Sequence, residues 1–404
     1  MKKIDLSLAL ATLLTVTTSS FANEATDIRE LKEQVKELQE MTQTLTDETS
    51  DLKTGFNYTT VDSEKSFSGL GAAASKVYYS KSPLSIGGYG EMYASSTTKD
   101  DGTTSNLVDV YRFVPYIGYK FSDNIILNTE IEFEHGGVAN DGGAAEGGEV
   151  IVEFMYLDFL INKNINLRAG NFLVPMGLIN ERHEPTLFNT VQRPLTSKYL
   201  IPSTWHESGA MAYGEILEGV EYKAALITAL TPTDSGSKWL RSGRGGSFKN
   251  RDPKVAGVLR VDYTGITGLM SGISLYSADE IFMADAHIDY KYEALRVYGV
   301  YTQTTRLDAA PLQVEKANGG YLNASFDLLS LTSYDTQLPL FVQYESVNPE
   351  ASLGNGTDGE STDVITVGAN YFPHPQVVLK TDYAIAKTAG ETDKTLSVSM
   401  GYIF

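Results

Sequence analysis

The chain of 404 residues contains no cysteine, and no segment after its N-terminus approaches the ~20 consecutive apolar residues of a transmembrane helix. The lack of cysteine excludes disulfides and thiolate metal sites. The five histidines are scattered, and none has a metal-ligand spacing such as HExxH. The sequence therefore predicts no catalytic residues, no metal site and no cofactor, and any membrane-spanning part must satisfy its backbone by strand pairing in a closed sheet.

Positive charge is also scarce, because 32 lysines and arginines face 51 aspartates and glutamates, for a formal charge of −19. Nucleic-acid binding requires basic patches that neutralise phosphates. The balance therefore predicts that nucleic acid is not a partner.

The N-terminus has the three parts of a secretory signal peptide. Lys2 and Lys3 form a basic region, residues 6–16 form an apolar region, and Ala22 ends a small-x-small cleavage site. We expect residues 1–22 to be removed on export.

Residues 23–55 carry a narrow apolar seam with alternating spacings of three and four residues, typical of a coiled coil. The seam consists of Ile28, Leu31, Val35, Leu38, Thr42, Leu45, Thr49 and Leu52. A single amphipathic helix is the alternative, but the broad apolar face it requires is absent. We expect a periplasmic coiled coil that joins several copies of the chain. Residues 56–83 are rich in Ser, Gly, Ala and Lys without a sustained period, which favours a linker.

Residues 84–404 contain repeated strands with alternating apolar and polar side chains. Sixteen are predicted, near 84–94, 107–121, 125–135, 150–161, 165–172, 207–216, 219–229, 254–264, 269–277, 281–292, 295–305, 319–328, 338–347, 362–372, 376–387 and 394–404. Most even-numbered strands end in tight turns and most odd-numbered ones in long polar loops. An even strand count with this alternation predicts a 16-stranded antiparallel transmembrane β-barrel of a bacterial outer membrane, in contact with its lipids and lipopolysaccharide.

The last strand alternates apolar and small or polar residues and includes Tyr402 and Phe404. A terminal strand of this kind resembles the assembly signal of bacterial outer-membrane barrels, which implies the barrel assembly machinery as a partner.

The longest loop, Leu173 to His206, is cationic and proline-rich. Sixteen strands enclose a lumen too wide for their side chains to fill. We expect water in that lumen, narrowed by this loop, with a pore constriction formed by Arg182, His183, Arg193 and Lys198. A surface cap is the alternative. A second basic cluster, Lys238 to Lys254, is predicted in the next outer loop, at the mouth.

Inward-facing positions of the strands carry charges of both signs. The predicted lumen-lining residues include Arg112, Lys120, Arg168, Arg260, Arg296, Glu130, Glu132 and Glu134. Such a mixture suits a general pore for small hydrophilic solutes.

The run Leu167 to Phe172, followed by Pro175-Met176-Gly177-Leu178, resembles a strand-and-loop motif of the phosphate-selective porin O and P family. The resemblance implies a homotrimeric barrel with an N-terminal coiled coil that passes small hydrophilic or anionic solutes such as phosphate. Family members place lysine or arginine after the phenylalanine, where this chain has Leu173 and Val174. Two alternatives stay open: a non-conducting barrel that acts as an adhesin or envelope tether, and a cation-preferring general porin.

Overall fold

The structure, a computed structural model, describes residues 31–43, 46, 61–63, 65–137, 148–245 and 252–404. The chain divides into two compact units, residues 1–57 and 58–404. In the first unit, residues 31–43 form helix α1, while the expected signal peptide and the seam positions Ile28, Leu45, Thr49 and Leu52 lie outside the described residues. The coiled coil therefore stays a prediction.

The second unit contains helix α2, Ala72–Tyr79, and sixteen strands in its described residues. The strands are β1 Leu84–Thr98, β2 Thr104–Ser122, β3 Ile125–Glu134, β4 Glu149–Leu160, β5 Asn166–Leu173, β6 His206–Leu217, β7 Val220–Thr228, β8 Val255–Tyr263, β9 Leu269–Ser277, β10 Ile281–Tyr292, β11 Leu295–Arg306, β12 Val314–Asp327, β13 Pro339–Leu353, β14 Thr362–His374, β15 Val377–Thr388 and β16 Glu391–Ile403. Neither described helix is long and apolar enough to cross a bilayer.

Each strand pairs antiparallel with its sequence neighbours, and β1 pairs with β16 to close the barrel. Closure leaves no strand edge unpaired, as a sheet in lipid requires. The predicted 16-stranded antiparallel barrel is therefore confirmed, although several strands, β12 and β13 among them, extend beyond their predicted ends.

The alternation along β16 shows how the sequence sets the two faces of the wall. Leu396 and Val398 are exposed on the outside, whereas Ser397 and Ser399 are buried on the inside. Successive side chains of a strand point to opposite faces, so an apolar–polar alternation gives an apolar band outside and a polar wall inside.

The connections alternate in length less strictly than predicted. Residues 123–124 and 218–219 are tight turns after β2 and β6, and Gly219 has the positive φ of +76° that favours glycine. The longest connections, 135–148, 174–205 and 229–254, all follow odd-numbered strands. An exception is 328–338 after β12, which includes a short 3₁₀ turn, Leu328–Leu331.

The lumen, predicted to hold water and to be narrowed by one long loop, is narrowed by several segments of the described chain. Each of the sixteen strands turns at least one buried side chain inward. Three segments inside the barrel cover these side chains: the loop 174–205, the described part of the loop 229–254, and α2. The apolar residues of these segments are buried as well. These loop and helix segments fill much of the space that the side chains of the strands leave open.

Candidate functional site

The loop 174–205, called the third loop below, lies inside the barrel and is held by polar side chains of the wall. Asp382 accepts a hydrogen bond from the Val191 amide at 2.7 Å, and Glu345 accepts bonds from the amides of Leu195 at 3.0 Å and Thr196 at 2.6 Å. These strand carboxylates satisfy loop backbone groups that would otherwise be buried without partners. The inward position of the loop agrees with the sequence expectation.

Helix α2 lies against the inner face of β1–β3, where the sequence predicts only a linker. The first turn of α2 donates backbone amides of Ala73 and Ala74 to Glu184 of the third loop at 3.0 and 3.1 Å. Asn128 of β3 donates to the Ala74 carbonyl at 2.8 Å. A carboxylate at a helix N-terminus satisfies free amides and complements the helix dipole. The described residues between 61 and 83 are therefore packed structure, and the linker interpretation is wrong for them.

The four residues predicted to form a constriction do not form one ring. Arg182 pairs with Asp289 at 2.9 Å, and His183 is buried against the wall. Arg193 donates to the His183 carbonyl at 3.2 Å, and Lys198 is half-buried beside the ring of Tyr199. The charge of Arg182 is thus offset locally, whereas Arg193 and Lys198 remain candidates for the narrow part of the lumen.

The fourth-loop cations lie closer to the third loop than the sequence suggests. Arg241 and Arg244 donate to the Ser203 carbonyl at 3.2 and 3.0 Å. Burial, together with the nearby cations Arg241, Lys238 and Arg193, lowers the pKa of Lys198. Burial and the neighbouring Arg244 lower the pKa of Arg241 to about 10. The two loops therefore bring their cations together, although Lys249 and Arg251 lie outside the described residues.

The residues predicted to line the lumen have hydrogen-bond or ion-pair partners on the inner side of the wall. Their contacts are Arg112 with Glu91, Glu132 and Glu134 at 3.9, 3.1 and 3.8 Å, Lys120 with the Ser80 carbonyl at 2.6 Å, Arg168 with Asp158 at 2.8 Å, Arg260 with Asp262 at 2.7 Å, Arg296 with Asp289 at 2.9 Å, and Glu130 with His183 at 3.1 Å. These charges hold the third loop, α2 and one another, rather than facing open water.

One buried histidine, His287 of β10, is surrounded by complementary charges. Its Nδ1 lies 2.7 Å from Asp285 Oδ1 and its Nε2 lies 2.7 Å from Asp262 Oδ1. Arg260 pairs with Asp262 and donates to the Gly177 carbonyl of the third loop at 2.6 Å. The cluster therefore fastens the loop to β8–β10, with the Arg260 guanidinium paired to the Asp262 carboxylate.

A second buried histidine, His183 of the third loop, has different surroundings. Its Nδ1 lies 2.8 Å from the Asn180 carbonyl, and its Nε2 lies 3.1 Å from Glu130 Oε1 and 3.7 Å from Glu153 Oε2. Burial and then the nearby Arg193 lower the pKa of His183 to about 3. The imidazole is therefore neutral and faces two carboxyl groups.

Glu153 is the member of this cluster that the sequence missed. Counted back from Asp158, strict alternation would point Glu153 outward, along with Met155. A register irregularity in the β3–β4 pairing, where Glu130 pairs with Phe154 but Ile131 pairs with Val152, leaves Glu153 as an extra residue. Such a bulge turns both Glu153 and Phe154 inward, where they are fully buried. Only an interruption of the apolar alternation in β4 signals it.

At the end of the barrel where α2 enters, a cavity of about 760 Å³ remains between α2, the third loop and the wall. Its lining includes Arg182, Asp289 and Arg296. These charged groups share the lining with apolar residues such as Leu187 and Ile266.

Three solved structures share the fold. They are the anion-selective porin of Comamonas acidovorans (13% identity, TM-score 0.55, 80% of this chain and 99% of that one), OmpF of Salmonella typhi in complex with daunomycin (11%, 0.54, 80% and 97%), and the outer-membrane channel DcaP of Acinetobacter baumannii (12%, 0.53, 80% and 97%). At these identities the likeness establishes the barrel architecture of an outer-membrane porin.

No protein-family model matches the chain, and the phosphate-selective family is therefore not confirmed. An uncharacterized protein of Aquifex aeolicus is 31% identical over 351 residues, which cover 79% of each protein. This identity over most of both chains establishes common descent, and the chain belongs to the same family as the Aquifex aeolicus protein.

Proposed function

We propose that the chain is a bacterial outer-membrane porin, a diffusion channel for small hydrophilic solutes with a preference for anions. The observation that carries this proposal is the closed sixteen-stranded barrel, apolar outside and polar inside, with a long loop folded into its lumen. Barrels of this strand number enclose enough space for a channel, and an inward loop sets its width. The shared fold with three outer-membrane channels supports the proposal.

The anion preference rests on cations that the two inward loops bring together. Arg193 and Lys198 come from the third loop, and Arg241 and Arg244 come from the fourth. A low-dielectric wall strengthens the field of such a cluster and raises the local concentration of anions. The Comamonas relative in fold is an anion-selective porin, which fits this preference, and phosphate is one solute of the proposed class.

Conductance in a planar bilayer tests the proposal. The wild-type protein should give discrete current steps, and asymmetric salt should give a reversal potential that favours anions. Substitution of Lys198 and Arg241 by glutamine should shift that potential toward cations, and the shift should shrink at ~1 M salt, where the Debye length is about 3 Å. Lys254→Gln is a matched control, because Lys254 is exposed and paired with Asp279 at 2.9 Å.

The filled lumen favours a second candidate, a barrel that does not conduct and serves as a tether. Every strand has buried inward side chains, and α2 occupies the lumen beside β1–β3. The same bilayer measurement decides between the two, since a tether gives no steps. Steps with cation selectivity that Lys198→Gln leaves unchanged would instead support the cation-preferring porin.

We further propose a homotrimer in the outer membrane, with residues 23–55 as a periplasmic coiled coil. Leu31, Val35 and Leu38 of α1 are exposed in the single chain, with exposed fractions of 59%, 49% and 57%, as seam residues without a partner helix would be. Deletion of 23–55 should lower trimer stability in native gels yet retain the channel. Loss of all conductance would contradict this assignment.

Assembly through the last strand belongs to the same proposal. The Phe404 ring stacks on Phe113 at 6.2 Å, and the Tyr402 ring lies over Gly90. A Cβ atom at Gly90 would collide with the hydroxyl and ring of Tyr402, so the aromatic requires a glycine there. We expect Phe404→Ala to reduce outer-membrane insertion by the barrel assembly machinery. Lipopolysaccharide is the proposed partner of the outer face of the barrel.

A further inference from the structure

The cluster on β3, β4 and the third loop brings three potential ligand atoms together at a buried site. The candidate atoms of Glu130, Glu153 and His183 all lie within 4.8 Å of one another. All three side chains are at least 98% buried. The residues are distant in sequence, which is why no local spacing pattern announced them.

The carboxylates in this cluster lack the partners that buried charges normally have. Neither oxygen of Glu153, nor Oε2 of Glu130, has a hydrogen-bond partner among the described residues. No lysine or arginine nitrogen of the described chain lies within 4.0 Å of either group, and neighbouring Arg112 is taken by Glu132. A buried carboxylate without a donor or counter-ion is strongly unfavourable, so the site requires a cation or protons.

The hydrogen bond at Nδ1 shows which kind of cation fits. The Asn180 carbonyl can only accept, so Nδ1 of His183 carries the proton and Nε2 of the neutral ring presents a lone pair. That lone pair points at carboxylate oxygens, which also only accept. A backbone carbonyl that fixes the imidazole tautomer in this way is the usual outer support of a metal-bound histidine.

We propose that Glu130, Glu153 and His183 bind one divalent transition-metal ion of the Zn²⁺ class, and that the bound ion fastens the third loop to the barrel wall. Tetrahedral Zn²⁺ with bonds of about 2.0–2.1 Å places neighbouring ligand atoms about 3.3 Å apart. The distances from His183 Nε2 to Glu130 and Glu153, 3.1 and 3.7 Å, bracket that separation. Imidazole nitrogen suits Zn²⁺ or its transition-metal neighbours, whereas Ca²⁺ and Mg²⁺ prefer six or more oxygen ligands.

This site is distinct from the proposed pore cations and does not depend on conduction. It explains why the third loop turns a histidine toward wall carboxylates that have no lysine or arginine partner among the described residues. At β3–β4 the metal ion would hold the loop to the wall, as ion pairs hold the same loop to β8–β10.

Metal binding to the full-length protein in detergent tests the proposal. After treatment with a chelator, the protein is titrated with Zn²⁺ by calorimetry and with Co²⁺ by visible absorption. We expect one ion per chain, a cobalt spectrum of a four-coordinate nitrogen and oxygen site, and a higher unfolding midpoint with Zn²⁺, because a ligand that binds only the folded state stabilises it.

Variants assign the ion to the cluster. His183→Gln and Glu153→Gln should each weaken Zn²⁺ binding by at least about 10-fold, since even the loss of an outer-shell partner costs that much. His206→Gln is the matched control, because His206 is also buried and has Nδ1 2.8 Å from the Thr204 carbonyl. That variant should bind as wild type does.

Two results would overturn the proposal: no stoichiometric binding to the wild-type protein, or binding that both cluster variants leave unchanged. If His183→Gln does not fold, Glu153→Gln and the wild-type cobalt spectrum still decide, because a spectrum without nitrogen ligation excludes His183. Absence of binding would mean that the carboxyl groups share protons instead.

Discussion

The third loop is fastened to the wall at two buried histidine clusters that are built on opposite principles. At β8–β10, His287 lies between Asp262 and Asp285, and Arg260 balances the carboxylates. At β3–β4, His183 faces Glu130 and Glu153, and no guanidinium or ammonium group of the described chain touches either carboxylate. One cluster is complete with protein groups alone, and the other is not.

The difference teaches that charge in this lumen has two uses. Where a strand cation and a strand carboxylate are adjacent, as Arg260 and Asp262 are, their pair also offers donors to the loop backbone. Where carboxylates gather around an imidazole lone pair, the arrangement resembles a ligand set. The first arrangement needs no metal ion, whereas the stability of the second should depend on the metal ions present.

The largest effect is expected from breaking the complete cluster. Arg260→Met leaves Asp262 buried without its main counter-ion, which should lower the free energy of unfolding by about 3–5 kcal/mol. Urea unfolding in detergent, followed by tryptophan fluorescence, measures it. The control Lys254→Met removes an exposed cation and should change little. Equal unfolding midpoints for both variants would contradict the difference between the two regions.

Removal of each imidazole should separate the clusters next. His287→Gln removes the ring that contacts both Asp262 and Asp285, so in chelator it should cost about 1–3 kcal/mol. In the same buffer His183→Gln should cost much less, because Nε2 of His183 donates nothing to Glu130. Unfolding curves of the two variants, measured without metal, test this expectation. A larger loss of unfolding free energy for His183→Gln than for His287→Gln would contradict the assignment of the two clusters.

A smaller change, in the opposite direction, is expected from Glu153→Gln. Without metal the amide removes an unpartnered buried charge and adds a donor beside Glu130, so stability should rise by about 1 kcal/mol. With saturating Zn²⁺ the wild-type protein should become the more stable of the two. Thermal unfolding midpoints of the wild type and of Glu153→Gln, measured with and without Zn²⁺, test both expectations. If the same protein is the more stable one in both conditions, that result would count against the metal site.

A pH-dependent effect is expected from Lys76 of α2, a buried cation whose ammonium donates to the Ile86 carbonyl at 2.7 Å. Burial lowers its pKa from 10.5 to about 8. Between these values the unfolded chain binds more protons, so stability should rise as pH increases from about 8 to about 10.5. Lys76→Met should lack that rise. Parallel slopes for both proteins would show that Lys76 does not titrate differently on folding.

The sequence was sufficient to predict the wall and the face of most of its residues. Alternation fixes which side chains point inward, so Arg112 and Arg168 are predicted on the face where the structure buries them. The same pattern cannot tell whether an inward charge meets water or another segment of chain, which is why anchoring groups such as Arg260 were predicted to line a pore. Glu153 escaped because a bulge breaks the period, and α2 because eight residues give too little periodicity.

The contacts of the third loop also constrain when the lumen can be filled. Lys380 of β15 bonds the carbonyls of Phe188 and Thr190, about 190 residues earlier in the chain. The last turn of helix α2, by contrast, accepts a hydrogen bond from Lys120 at the Tyr78 carbonyl, only 42 residues away. Because contacts between distant parts of a chain carry the larger entropic cost, α2 can dock as the first hairpins form, whereas the loop is locked only after the last hairpin arrives. A nascent barrel therefore passes through a stage in which its interior is still open.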